Sequence, residues 1–121
     1  MATILVVDDE APVRGFLAML LKSAGHRPLQ AIHGAHALEL VAEDRPDLVI
    51  SDIMMPILNG TELCRRLKAD ETTKRIPVIL MSAANVRTAD RADADAFIAK
   101  PFNLDEMEAL VERLLPPVTT H

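Results

Sequence analysis

Four short stretches put reactive oxygen and nitrogen groups directly after apolar runs. Asp8-Asp9-Glu10 follows Ile4-Leu5-Val6-Val7, and Asp52 comes shortly after Leu48-Val49-Ile50. Ser82 follows Val78-Ile79-Leu80-Met81, and Lys100 follows Ala96-Phe97-Ile98-Ala99. Carboxylates, a hydroxyl and an ammonium in such places can hold a cation and a phosphoryl group. Two carboxylates about 5 Å apart repel by roughly 3 kcal/mol at an effective dielectric near 20. Asp8, Asp9 and Asp52 together therefore call for a cation. Mg²⁺ fits, because it uses one or two carboxylates, keeps several waters and accepts phosphate oxygens. Asp52 would then attack as a carboxylate oxygen and form an acyl phosphate. The metal, Lys100 and the Ser82 hydroxyl would neutralise the charge on the phosphoryl oxygens.

Each group also has an ordinary structural use. Acidic pairs after strands cap helices. Asp52 could serve a turn before Pro56, Ser82 could be a cap, and Lys100 could be a surface charge. Their joint occurrence at four apolar runs favours the chemical reading.

The elements that must position these groups follow from the pattern. Five apolar runs, the second and weakest around Pro28 to Ile32, are continuous rather than alternating, as in strands buried on both faces. Between them lie helical spacings. Val13, Phe16, Leu17, Leu20, Leu21 and Ala24 form one stripe, which Gly25 ends in a left-handed conformation. A second helix covers Ala35 to Asp44 with Leu38, Val41 and Ala42 inward. A third begins near Gly60 and buries Leu63, Cys64 and Leu67. The last is capped by Asn103 with Glu106 three residues on, and buries Leu104, Met107, Val111 and Leu114 before Pro116 and Pro117. Between Met81 and Ala96 only Val86 is a large apolar residue, so a helix there would be short or marginal. Strands alternating with helices imply a parallel sheet with right-handed crossovers. Ligands of such sheets bind beyond the carboxyl ends of the strands, where the reactive groups stand.

Composition narrows the field. With 121 residues the chain fits a single domain; the expected extent is residues 1–117, with a frayed tail at 118–121. A net charge of −5 and the absence of a clean basic cluster argue against direct nucleic-acid binding. Arg65, Arg66, Lys68, Lys74 and Arg75 are interrupted by acids and read as a solvated face. The lone cysteine, Cys64, excludes an internal disulfide. No apolar run is long enough for a bilayer and no export signal precedes the first strand, so a cytoplasmic protein is expected. His26, His33 and His36 lack metal-ligand spacing with the acids and read as loop and surface residues. The six methionines read as core filler.

The motifs Leu5-Val6-Val7-Asp8-Asp9-Glu10, Pro46 through Pro56 with Asn59-Gly60, Pro77 through Ala83, and Lys100-Pro101-Phe102 together resemble the receiver domain of bacterial two-component response regulators. The resemblance covers almost the full length. It implies a doubly wound, flavodoxin-like α/β fold with a five-stranded parallel sheet in the order 2-1-3-4-5. It implies Asp52 as phosphoacceptor. It also implies Mg²⁺, with Mn²⁺ possible in its place, bound by Asp9, Asp52 and the backbone carbonyl of Met54, with Asp8 acting through water. Lys100 would pair with the phosphoryl group across a cis Lys100-Pro101 bond. Ser82 and Phe97 would be the switch residues. The implied partners are a histidine kinase or phosphotransfer protein upstream and an unidentified protein downstream, with no membrane contact. Such a module is not an enzyme beyond its own phosphorylation and dephosphorylation.

Two departures from the family stand out. The stretch from Ser82 to Lys100 is short by about one helical turn, and Arg91-Ala92-Asp93-Ala94-Asp95 lacks the usual glycine. The helix after the fourth strand is thus expected to be shortened. Met54 and Ala84 offer no polar group to position an attacking water, which implies slow self-dephosphorylation. Two other readings compete. A receiver that signals without phosphate would not need the set Asp9, Asp52, Ser82 and Lys100. An aspartyl-phosphate phosphatase would want a carboxylate where Met54 stands.

Overall fold

The computed structural model describes residues 2–83 and 94–115. Five strands and four helices run in the order β1 (Thr3–Val7), α1 (Ala11–Ser23), β2 (Arg27–Ala31), α2 (Gly34–Asp44), β3 (Leu48–Asp52), α3 (Gly60–Ala69), β4 (Val78–Ala83), β5 (Ala96–Lys100) and α4 (Leu104–Leu114). All neighbouring strands are parallel, in the order β2-β1-β3-β4-β5. The expected fold and strand order are both present. The expected shortened helix after β4 falls on residues outside those described.

The continuous apolar runs pay no polar penalty because both faces of the sheet are covered. Successive side chains point to opposite faces. Leu5, Val7 and Val49 therefore join Val41 of α2 and Leu63 and Leu67 of α3. Ile4, Val6, Leu48 and Ile50 join Leu17 and Leu21 of α1 and Met107 and Val111 of α4. Every residue of β3 is buried. Each fully buried Leu, Val or Met side chain contributes about 1.5–3 kcal/mol.

Local signals set the helix ends. The side chains of Asn59 and Asn103 accept hydrogen bonds from the backbone N–H groups of Glu62 and Glu106, at 2.8 and 2.7 Å. His33 Nδ1 does the same for the N–H of His36. Gly25 has φ +93°, the left-handed conformation that ends α1.

Several expectations need correction. Phe16 and Leu104 are 44% and 42% exposed, because the buried stripes of α1 and α4 are narrower than their apolar spacing suggested. Ala42 is exposed; Ala37 takes the inward place on α2. β2 begins one residue earlier than its apolar run, at Arg27, because pairing with Thr3 of β1 sets its start. His26 is not a surface residue. Its side chain is 11% exposed, its Nδ1 accepts from the Ala2 N–H, and its Nε2 lies 3.7 Å from Glu112.

Candidate functional site

The parallel register brings the strand ends to one rim. Val7 stands opposite Ser51, Asp52 opposite Met81, and Ser82 opposite Ala99. Asp8 follows β1, Asp52 closes β3, Ser82 is the penultimate residue of β4, and Lys100 closes β5. Asp8, Asp52 and Ser82 are buried, at 0%, 6% and 2% exposure.

Asp8 is fixed on every side. Its N–H donates to Ala31, and its carbonyl accepts from the Arg14 guanidinium at 2.8 Å. Oδ1 accepts from the Glu10 N–H at 2.9 Å, and Oδ2 from Lys100 Nζ at 3.2 Å. Lys100 also stands 3.5 Å from Asp52 Oδ1 and 3.9 Å from Glu10 Oε1. One ammonium therefore faces three carboxylates. The Lys100-Pro101 peptide bond is cis, as the resemblance implied.

Asp52 is held through its backbone. The Ile53 N–H donates to Met81, the Gly60 N–H donates to Ile53, and the Ser51 hydroxyl donates to the Asp52 carbonyl. Burial raises the pKa of the Asp52 carboxyl above its ordinary value. Lys100 opposes that shift, and Asp8 and Asp9 add to it. For Lys100, burial pulls the pKa down, but Asp52 and Asp8 outweigh it and the net shift is upward. Desolvation and like charges thus penalise the ionised Asp52 carboxyl, while the lysine stays charged.

Among the described residues, Asp8, Glu10 and Asp52 each offer an oxygen within 4.8 Å of the others, a set that could hold a metal ion. Asp9 is exposed and stands outside that group. Glu10 was not singled out as a ligand from sequence. Its signal was its place two residues after Asp8, where the turn into α1 returns it to the rim. Met54 is 73% exposed. Phe97 is half-buried on β5, opposite Leu80, and packs on the α2–α3 side of the core. Ala84 lies outside the described residues.

Residues 4–112 match the family model of the response regulator receiver domain, and the chain belongs to that family. It is a receiver domain of the kind found in two-component response regulators, a signalling module whose acidic cluster is compatible with metal binding and aspartyl phosphorylation. It is 40% identical over 117 residues to the phosphate regulon transcriptional regulatory protein PhoB of Pseudomonas aeruginosa, covering 93% of this chain and 51% of that protein. It is 41% identical over 120 residues to the response regulator MprA of Mycolicibacterium vanbaalenii, covering 96% of this chain and 51% of that protein. The chain thus spans about half the length of these curated relatives. Among solved structures, it is similar to the signal receiver domain of a histidine kinase from Syntrophus aciditrophicus, with a TM-score of 0.87 and 33% identity over 95% of this chain and 90% of that one. It is also similar to the response regulator TrrA from Thermotoga maritima in complex with Mg(2+)-BeF, with a TM-score of 0.87 and 34% identity over 95% of this chain and 100% of that one. Among the described residues no helix is long and apolar enough to cross a membrane.

Proposed function

We propose that Asp52 is the phosphoacceptor and that its phosphorylation switches a protein-binding surface. The observation that carries this reading is Lys100 Nζ, shared between Asp52 Oδ1 at 3.5 Å and Asp8 Oδ2 at 3.2 Å. A carboxylate oxygen of Asp52 forms a bond to phosphorus as the phosphorus–nitrogen bond of a phosphohistidine donor breaks. The released imidazole takes up a proton, and Asp52 becomes an acyl phosphate. Lys100 pairs with the phosphoryl oxygens, and the Ser82 hydroxyl donates a hydrogen bond to one of them. Ser82 and Phe97, on adjacent strands, shift together as the switch.

The all-oxygen donor set fits a hard divalent cation. Mg²⁺, or Mn²⁺ in its place, would be held by Asp9, Asp52 and the Met54 backbone carbonyl, with Asp8 through water and Glu10 as a further oxygen. Once bound, it would supply positive charge against the phosphoryl oxygens. The similarity to TrrA, solved with Mg(2+)-BeF, supports this choice.

The receiver occupies residues 1–117; the expected frayed stretch 118–121 lies outside the described residues. It turns over only its own phosphoryl group, and does so slowly, since Met54 offers no polar side chain to orient water. The donor is a histidine kinase or phosphotransfer protein, the target is a protein, and the compartment is the cytoplasm. A net charge of −5 supports action through proteins rather than by direct contact with nucleic acid. Incubation with Mg²⁺ and acetyl phosphate, followed by intact mass, tests the reading. One phosphate adduct that disappears in Asp52→Ala is expected. No adduct on the wild-type chain would refute it.

A further inference from the structure

A second charged concavity lies at the opposite edge of the sheet from Asp52. Its volume is about 420 Å³. Arg45 and Pro46 approach it from the turn before β3, Arg75 and Pro77 from the turn before β4, and Arg113 from the last turn of α4. The intervening strand of five residues puts it about 16 Å from the Asp52 rim, at ~3.3 Å per residue.

Two of the guanidiniums there are not committed to any partner among the described residues. Among the described residues, every lysine and arginine other than Lys22, Arg75 and Arg113 has an ion pair or hydrogen bond. Two of those three line this one cavity. Arg45 commits only its Nε, to the Thr72 carbonyl at 3.0 Å. The carboxylates of the lining, Asp47 and Asp95, are both engaged. Asp47 accepts from the Thr3 N–H at 2.8 Å. Asp95 accepts from the Val78 N–H at 2.8 Å and pairs with Lys68 at 2.7 Å. Three guanidiniums face two carboxylates, one of them already paired with Lys68, so the lining is locally cationic on a chain of net charge −5. Ile76 and Leu114 give it an apolar part.

We propose that this cavity binds a phosphate-bearing small ligand, its anionic group held by Arg45, Arg75 and Arg113. Guanidinium forks match phosphate oxygens two at a time, and a fold that brings them from three separate segments fixes both position and orientation. An organic portion of the ligand would lie against Ile76, Leu114 and the two prolines. The site is separate from the phosphoacceptor and does not depend on it.

The test is an amide NMR titration of the full chain in EDTA at constant ionic strength, with pyrophosphate in one arm and ATP in the other. Saturable shifts at Arg45, Asp47, Ile76 and Arg113 are expected in at least one arm. Affinity should fall at least about tenfold in the Arg75→Gln/Arg113→Gln variant, the scale of losing charge-assisted contacts. Both side chains are exposed and unpaired, so the variant should fold, and its unshifted remaining amides will show that it has. Equal affinity in the two arms assigns recognition to phosphate alone, and tighter ATP binding adds the organic portion; either supports the site. Absence of saturable shifts up to about 10 mM of both probes, enough to reveal even millimolar affinity, would overturn it. So would shifts confined to the Asp52 rim, or an unchanged affinity in the double variant.

Discussion

Gly60, the first residue of α3, stands so close to the end of β3 that any Cβ it carried would overlap the carbonyl oxygen of Asp52 and come within 3.0 Å of Ile53 Cα. Both obstacles are backbone, so neither can turn aside. Gly60→Ala should destabilise the fold by about 2–3 kcal/mol, the upper part of the range for overpacking. It should also weaken Mg²⁺ binding by displacing Asp52. Urea unfolding and a metal titration of the same variant check this, and a variant as stable as wild type would show that the helix start can retreat without cost.

Asp52→Asn should make the metal-free protein more stable at neutral pH. The Asp52 carboxyl has a raised pKa in the fold, so its ionisation opposes folding. The sign follows from linkage. Below the ordinary value of 3.8 the acid is protonated in both states and costs nothing. As pH rises through 3.8 and then the higher folded value, the penalty develops in full. The gain should be present above that window, where burial makes the ionised carboxyl unfavourable, and should vanish at lower pH. Saturating Mg²⁺ should shrink it, because a bound cation relieves the same penalty. Thermal unfolding across pH, with and without EDTA, measures all three trends.

Lys100→Met should do the reverse. It leaves Asp8 and Asp52 buried without their shared cation, at a cost of about 3–5 kcal/mol, as when one partner of a buried pair is removed. The raised Lys100 pKa means its stabilising contribution is complete below its ordinary value of 10.5 and is lost only as pH climbs through the folded value. The deficit should therefore be constant across neutral pH. Mg²⁺ should restore part of it, which denaturant unfolding with and without metal would show.

Ile57 has φ +71° and is 80% exposed. A β-branched residue pays roughly 1–2 kcal/mol in that region. Ile57→Asn, which tolerates the conformation, should stabilise the chain by about 1 kcal/mol, since little burial is lost. An unchanged denaturation midpoint would argue against strain at this turn.

Asn103→Ala removes the acceptor of the Glu106 N–H and should cost about 1 kcal/mol, the usual value of an N-cap. Asn103→Ser should recover most of it in the same unfolding assay.

The architecture was legible because β3 is buried throughout, as are residues 4–7 of β1 and residues 78–81 of β4, so these strands could be written as continuous apolar runs. The rim was legible because parallel strands place whatever follows them on one edge. Neighbouring detail was not. Phe16 and Leu104 carry apolar side chains that satisfy a helical stripe yet face solvent, and spacing alone cannot distinguish the middle of a stripe from its margin. Glu10 joins the acids through the angle at which the chain enters α1, which no local pattern encodes. His26 owes its burial to packing against α4, and Arg45, Arg75 and Arg113 come to one cavity from two turns and a helix, thirty or more residues apart in the chain. Such placements depend on how elements dock, not on what each element contains.

Both flanks of residues 84–93 are tied down. Ala83 is in register with Lys100, and Asp95 is clasped by Lys68 and by Val78 through both its backbone and its carboxylate. The two anchors fix how far apart the chain stands at residues 83 and 95, so whatever joins them closes across a span that the sheet has already set. Ser82 and Lys100 are held in place by the pairing of β4 with β5 and do not depend on that connection for their register.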